Sequence, residues 1–272
     1  MNSIEKAIAR LAATTDAALP LDTESLGAVS KKVGTEQQIV SRATPRLLEL
    51  NFKILARAGY LTPDTTQGSL AEEYRFLKHS LLPSIDPIEA PLNKYDNLIA
   101  ITSALSGEGK TFTSFNLAMS IATALDTTTV LLIDCDLIGR SLTNLVGLAD
   151  APGLTDLLLD PQISLRNVIV HTNIPKLRLI PAGRAHGNAM ELLASERIRD
   201  MTYELSTHYS SHVTLFDTVP LLLNSQMLLL TSLVGKILVV VEEGKTLRKD
   251  IKEAVSLLDQ GKAIGMILNK CS

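Results

Sequence analysis

The chain has no tryptophan, and only 4% of its 272 residues are aromatic. Single-stranded nucleic acids are gripped by aromatic rings set among basic residues. No such interleaved run occurs here, so a nucleic-acid partner is not expected. Positive charge is not in excess either: with a formal net charge of −3, an anionic partner would have to dock on a local patch. The two cysteines, Cys135 and Cys271, form no secretory disulfide framework and suit a reducing cytosol. No stretch approaches the roughly 18 consecutive apolar residues of a membrane span. Residues 1–13 carry Glu5, Lys6 and Arg10 in place of a signal-peptide core. A cytoplasmic location is therefore expected. The five histidines and two cysteines show no Cys/His metal spacing and there is no G-x-S-x-G elbow, so zinc and serine-hydrolase readings lack support.

What is present suffices for one full core, with 46% hydrophobic and 20% charged residues. Ile4, Ala7, Ile8 and Leu11 share one helix face, which predicts a short amphipathic helix. From Ala12 to about Arg46 the chain is polar and aperiodic, reading as a linker. A helix is expected over Pro45–Gly59, and another over Ser69–Leu82 opened by a capping box of Ser69 and Glu72. Beyond Asn97, apolar runs at 98–102, 130–133, 177–180, 213–216, 237–241 and 264–268 alternate with helical patterns at 110–124, 189–208 and 246–259. That alternation predicts an α/β fold: a mostly parallel central sheet flanked by helices. The expected division is a helical and flexible N-terminal extension, residues 1–68, followed by a nucleotide-binding domain, residues 69–272.

Three sites carry chemistry. Ala104-Leu-Ser-Gly-Glu-Gly-Lys-Thr111 follows a predicted strand and opens a predicted helix, the context a Walker A phosphate loop requires. Gly107 and Gly109 let backbone N–H groups turn toward phosphate oxygens at the positive end of the helix. Lys110 would reach the β and γ phosphates, and the Thr111 hydroxyl would ligate Mg²⁺. Leu131-Leu-Ile-Asp134-Cys-Asp136 is an apolar strand ending in two carboxylates one residue apart, which in an extended chain face one side and call for a cation. Val213-Thr-Leu-Phe-Asp217 matches a Walker B strand, although an aspartate at a strand end often only caps a loop.

These residues are similar to those of the bacterial tyrosine kinases. That family's phosphate loop begins with Ala or Gly and ends in Gly-Lys-Ser/Thr, so Ala104 agrees with the resemblance. Asp134 and Asp136 match its second Walker-like motif. Asp217-Thr-Val-Pro220 matches an Asp-Thr-Pro-Pro strand end with one proline retained. Glu72, Arg75 and Lys78 resemble a Glu-x-x-Arg-x-x-Arg helix that joins subunits into a ring, though charges at this spacing also form ordinary solvated faces. The resemblance runs from about Ser69 onward. It is nearest to autokinases of exopolysaccharide loci linked to exosortase systems, within the ParA/MinD-like P-loop superfamily.

The resemblance implies a Mg²⁺- and ATP-dependent protein-tyrosine autokinase that converts ATP to ADP and regulates exopolysaccharide synthesis or export. It also implies a homo-oligomer of ring form. A membrane-embedded polysaccharide chain-length regulator would activate it and hold it at the inner membrane. Lys110, Asp134, Asp136 and Asp217 become the catalytic set, with Asp134 accepting a hydrogen bond from the incoming tyrosine. Ser106, Gly107, Glu108, Gly109, Lys110, Thr111 and Phe112 become nucleotide contacts, and Asn269 an adenine contact. Thr111, Asp136 and Asp217 become ligands or water-mediated holders of Mg²⁺.

There are departures. Ile138 and Gly139 stand where arginines are usual, leaving Arg140 as a substitute, and Gln226 stands where an acid is common. The C-terminal tyrosine cluster is absent, which leaves the acceptor open among Tyr60, Tyr74, Tyr95, Tyr203 and Tyr209, with Tyr74 the first to test. Two rivals remain. A positioning ATPase of the partition or division-site kind would have lysine where Leu105 stands and often a terminal amphipathic helix, where only four residues follow Leu268. A nucleotide-gated assembly module without kinase activity would share every binding residue.

Overall fold

The six apolar runs of the sequence form six adjacent strands of the eight-stranded sheet seen among the described residues, reaching one of its edges. The computed structural model describes residues 46–65, 67–82, 95–124 and 128–271. The helix expected over Ile4–Leu11 and the linker up to residue 45 lie outside them. In chain order the elements are β1 (Arg46–Leu48), α1 (Phe52–Arg57), α2 (Ser69–Leu81), β2 (Leu98–Ser103), α3 (Lys110–Ala122), β3 (Thr129–Asp134), α4 (Ser141–Leu145), α5 (Leu154–Leu159) and α6 (Leu165–Val168). They continue with β4 (Val170–Thr172), β5 (Leu177–Ile180), α7 (Ala189–Leu192), α8 (Glu196–Thr207), β6 (His212–Asp217), α9 (Met227–Ser232), β7 (Lys236–Glu242), α10 (Arg248–Ser256) and β8 (Ala263–Asn269).

The strand order is β1-β4-β5-β3-β6-β2-β7-β8. The run from β5 to β8 is parallel throughout, whereas β4 turns back antiparallel to β5 and carries β1 parallel to itself. Side chains alternate between two cores. Leu98 and Ala100 of β2 enter one, Ile99 and Ile101 the other; Leu131 and Ile133 of β3 are likewise separated from Val130 and Leu132. The first core is closed by Leu154 and Leu158 of α5, Ile198 and Leu205 of α8, Leu230 of α9 and Ala254 of α10. The second is closed by Leu55 of α1, Tyr74 of α2 and Phe115, Leu117 and Ile121 of α3. Phe216, at the middle of the sheet, has no exposed surface. Phe216→Ala should remove about 3–5 kcal/mol of stability, seen as a lower urea midpoint at unchanged slope.

Several boundaries differ from expectation. The helix expected over Pro45–Gly59 is not continuous: Arg46–Leu48 pairs with Val170–Thr172, and the helix starts only at Phe52, behind Asn51, whose side chain accepts from the Ile54 amide at 3.2 Å. Three-residue strands such as β1 and β4 are too short to show a period. The sheet thus begins upstream of the boundary placed at Ser69, and Leu50, Leu55 and Leu61 are buried in the same core as α3. Helix α2 is preceded by Gly68, at φ 112°, without a side-chain cap, so the Ser69/Glu72 box does not form. Residues 189–208 divide into two helices because Ser195 is extended (ψ 165°) and its hydroxyl donates to the Leu192 carbonyl at 2.6 Å. Among the described residues, no helix is long and apolar enough to cross a membrane.

Candidate active site

Ser103, Asp134 and Asp217 end three neighbouring parallel strands, β2, β3 and β6, so their side chains meet on one side of the sheet. The phosphate loop leaves β2 at Ala104, which is completely buried, and enters α3 at Lys110. Its bend depends on left-handed backbone at Gly107 (φ 81°) and Gly109 (φ 99°). At Gly109 space is decisive as well, since a Cβ there would stand 2.0 Å from Asn269 Nδ2. Ser106 and Gly107 are exposed, while Gly109, Lys110 and Thr111 are half-buried at the positive end of α3.

The Lys110 ammonium donates to Ser103 Oγ at 3.1 Å, and Ser103 Oγ donates to the Leu105 carbonyl at 2.6 Å. Burial pushes the Lys110 pKa down; Asp217, Glu108 and Asp136 push it back up. Lys110 therefore lies within electrostatic reach of Asp217 at the end of β6, Asp136 just beyond β3 and Glu108 of its own loop.

Asp134 and Asp217 stand opposite each other in the β3–β6 register, both buried. Burial is the main cause that lifts Asp217 to a pKa of about 7, with the Asp134 charge adding to it and Thr111, Ser114 and Lys110 opposing it. Asp217 Oδ1 accepts from the Ser114 hydroxyl at 2.9 Å, but its Oδ2 is buried without a hydrogen-bond partner. Asp134 is likewise lifted to about 6, mainly by burial. The amide and hydroxyl of Thr143 both donate to its Oδ2, at 2.8 and 2.6 Å, and the Asp136 amide donates to its Oδ1 at 3.1 Å.

Asp136 is half-buried and held by its own turn, accepting from the Gly139 amide at 2.8 Å and the Ser141 hydroxyl at 3.3 Å. This accounts for Gly139: a Cβ there would stand 2.4 Å from Asp136 Oδ2. Gly139→Ala should displace the Asp136 carboxylate and lower Mg²⁺-dependent turnover about 10- to 100-fold, measured as phosphate release against Mg²⁺ concentration.

The protein carboxylates do not form a metal centre alone; among the described residues no group of three or more His, Cys, Asp or Glu could hold an ion. A magnesium ion that brings its own waters and phosphates needs only one or two protein oxygens. The unpartnered Asp217 Oδ2 beside the Thr111 hydroxyl fits that need.

Other residues expected here are placed differently. The Glu108 side chain is taken up within the protein, which leaves its backbone amide for a nucleotide: 1% exposed, the side chain accepts from the Leu105 amide at 2.8 Å and from the Thr246 hydroxyl. One amide hydrogen of Asn269, expected to read adenine, is engaged by the Glu108 carbonyl at 2.9 Å. The Phe112 ring packs on Tyr60, with centroids 5.1 Å apart. Glu72 and Arg75 are exposed and paired at 2.5 Å, whereas Lys78 is buried and lines, together with Arg75, a hollow bounded by Leu61, Thr65, Ser120 and Thr123. Tyr74, the tyrosine placed first as acceptor, is enclosed at 4% exposure beside Thr113 and Asn116, while Tyr203 is 49% exposed. Reading the sequence missed Ser103, Ser114 and Thr143. A hydroxyl one turn into a helix carries no mark until the strand end beneath it is known.

Loop, lysine and acidic strand tips on this sheet define a P-loop nucleotide-binding domain. Residues 96–248 match a family model described as an AAA domain. The chain is 35% identical over 176 residues to the tyrosine-protein kinase ptk of Acinetobacter johnsonii, covering 64% of this chain and 23% of that protein. It is 30% identical over 182 residues to the tyrosine-protein kinase CpsD of Streptococcus agalactiae, covering 66% of this chain and 76% of that one. The crystal structure of the VpsO kinase domain is similar at a TM-score of 0.59 and 30% identity, covering 75% of this chain and all of that domain. The chain belongs to the family of bacterial tyrosine-protein kinases. It spans less than a quarter of the length of ptk and about three-quarters of CpsD.

Proposed function

We propose that the protein transfers the γ-phosphate of Mg·ATP to tyrosine, on its own copies first, and that this transfer regulates exopolysaccharide synthesis or export. The observation that carries the reading is the convergence of Lys110 with Asp217, whose buried Oδ2 has no partner, at the mouth of a glycine-bent loop. Phosphoryl transfer through a loose transition state asks mainly for positioning and charge stabilisation, which such a set supplies. The amides of Ser106 to Thr111 and the Lys110 ammonium hold the β and γ phosphates. Thr111 and Asp217 would hold Mg²⁺, with Asp136 beside them, and the ion would supply positive charge opposite the phosphate oxygens.

In the transfer, a bond forms from the tyrosine oxygen to the γ-phosphorus, the bond from that phosphorus to the bridging oxygen breaks, and ADP leaves. The phenol proton passes to Asp134 through Oδ1, which has a single donor, whereas Oδ2 is engaged twice by Thr143. A carboxylate raised to about 6 by burial is a competent acceptor near neutral pH. The resemblance supports a ring-forming oligomer using the helix that carries Glu72, Arg75 and Lys78. It also supports attachment to the inner membrane through a membrane-embedded polysaccharide chain-length regulator.

The test is purified protein incubated with γ-labelled Mg·ATP and read for phosphotyrosine and free phosphate, beside Asp134→Asn. Phosphotyrosine in the wild type and its loss in the variant are expected. Phosphate release without phosphotyrosine would turn the assignment to a positioning ATPase, and ATP binding with neither product to a nucleotide-gated assembly module.

A further inference from the structure

The phosphate loop is fastened from outside by the ends of β7 and β8. Glu108 is almost completely buried, and a buried carboxylate requires donors at both oxygens. One oxygen accepts from the Leu105 amide at 2.8 Å, which closes the loop on itself. The other accepts from the hydroxyl of Thr246, in the turn between β7 and α10. That hydroxyl also accepts from the Glu242 amide at 3.1 Å on a lone pair, which leaves its single hydrogen for Glu108. Asn269 donates to the Glu108 carbonyl at 2.9 Å. Lys270 donates to the Gly107 carbonyl at 2.8 Å while paired with Glu242 at 3.2 Å.

We infer that Thr246 is a positioning residue for nucleotide binding: acting through Glu108, its hydroxyl holds the loop in the shape that receives the phosphates. The inference rests on the nucleotide-binding reading above and is independent of where the phosphate goes. Without the hydroxyl, one buried carboxylate oxygen loses its donor. The nearest relief is for Glu108 to swing outward, releasing the Leu105 amide and opening the loop. Thr246 lies in the turn after β7, outside the phosphate loop, so sequence alone gives it no role.

The experiment titrates wild type, Thr246→Val, Thr246→Ser, Glu108→Gln and the Glu108→Gln/Thr246→Val double variant with N-methylanthraniloyl-ATP and Mg²⁺. Thermal unfolding of each nucleotide-free protein is recorded alongside. Thr246→Val, which keeps shape and loses the hydroxyl, should weaken binding about tenfold, and Thr246→Ser should restore it to within about threefold of wild type. The double variant should bind no more weakly than the worse single variant, because one contact has been cut twice. Wild-type affinity in Thr246→Val would overturn the inference. So would losses that multiply in the double variant, or a loss that only follows the unfolded fraction. If Thr246→Val does not stay folded, Thr246→Ala and its combination with Glu108→Gln make the same comparison. A wild type that fails to bind the probe would instead remove the nucleotide reading, a result no variant arm can mimic.

Discussion

Replacing Lys110 with methionine is expected to slow phosphate transfer from Mg·ATP by about 1,000-fold while the fold survives. Methionine keeps the length and flexibility of the stem and removes the charge. In the nucleotide-free protein burial opposes that charge more than Asp217, Glu108 and Asp136 favour it, and the ammonium donates to Ser103 Oγ at 3.1 Å. Losing it should leave stability level or slightly higher. In the transfer step the same charge faces phosphate oxygens in a site shielded from water, where a fixed cation is worth most. Transfer rates and urea midpoints measured on one preparation separate the two effects. A variant that keeps the wild-type rate with an unchanged midpoint would show that the ammonium is not used.

Asp217→Asn should divide function from stability in the opposite direction. Turnover with Mg²⁺ should fall at least about 100-fold, because the unpartnered Oδ2 becomes a neutral amide atom that no longer attracts a cation. Stability should rise at alkaline pH. An aspartate whose pKa climbs on folding, here from 3.8 to about 7, keeps its proton more tightly in the native state. Stability is then greatest below the unfolded value and declines as pH increases through the window between the two. Asp134, raised to about 6, contributes in the same sense. The nucleotide-free wild type should therefore lose stability between pH 4 and 7, and Asp217→Asn should lose less. At pH 8 the difference should be a few kcal/mol, at about 1.4 kcal/mol per unit of displacement. Urea unfolding at pH 5, 6, 7 and 8 measures it. A wild-type profile that rises over that range would contradict the buried, charged pair.

Much of the architecture was legible because its signals are local. Val130–Ile133 and Ile237–Val241 are unbroken β-branched and aliphatic runs, and such runs are strands covered on both faces. The phosphate loop was legible because glycine, lysine and threonine sit between a strand and a helix. Elements whose cause is distant were not. Arg46–Leu48 is a strand only because Val170–Thr172 lies beside it, and Asn51 outcompetes Pro45 as the helix start because the chain is already paired up to Leu48. At the site, strand-end acids announce themselves, but their bonding does not. That Glu108 turns inward to Thr246, 138 residues away, or that Thr143 claims Asp134 Oδ2, depends on loops brought together by the sheet. Gly139 looked like a missing arginine in the sequence, and in space it is the residue that lets the backbone reach Asp136.

The strand that carries the phosphate loop is bonded on both flanks to late segments: Leu98 lies opposite Thr214 and Ile99 opposite Lys236. During synthesis the loop therefore leaves the ribosome long before the neighbours that shape it exist. Nucleotide bound at the loop would then stabilise only molecules whose sheet is complete, shielding finished copies from proteases in proportion to its occupancy.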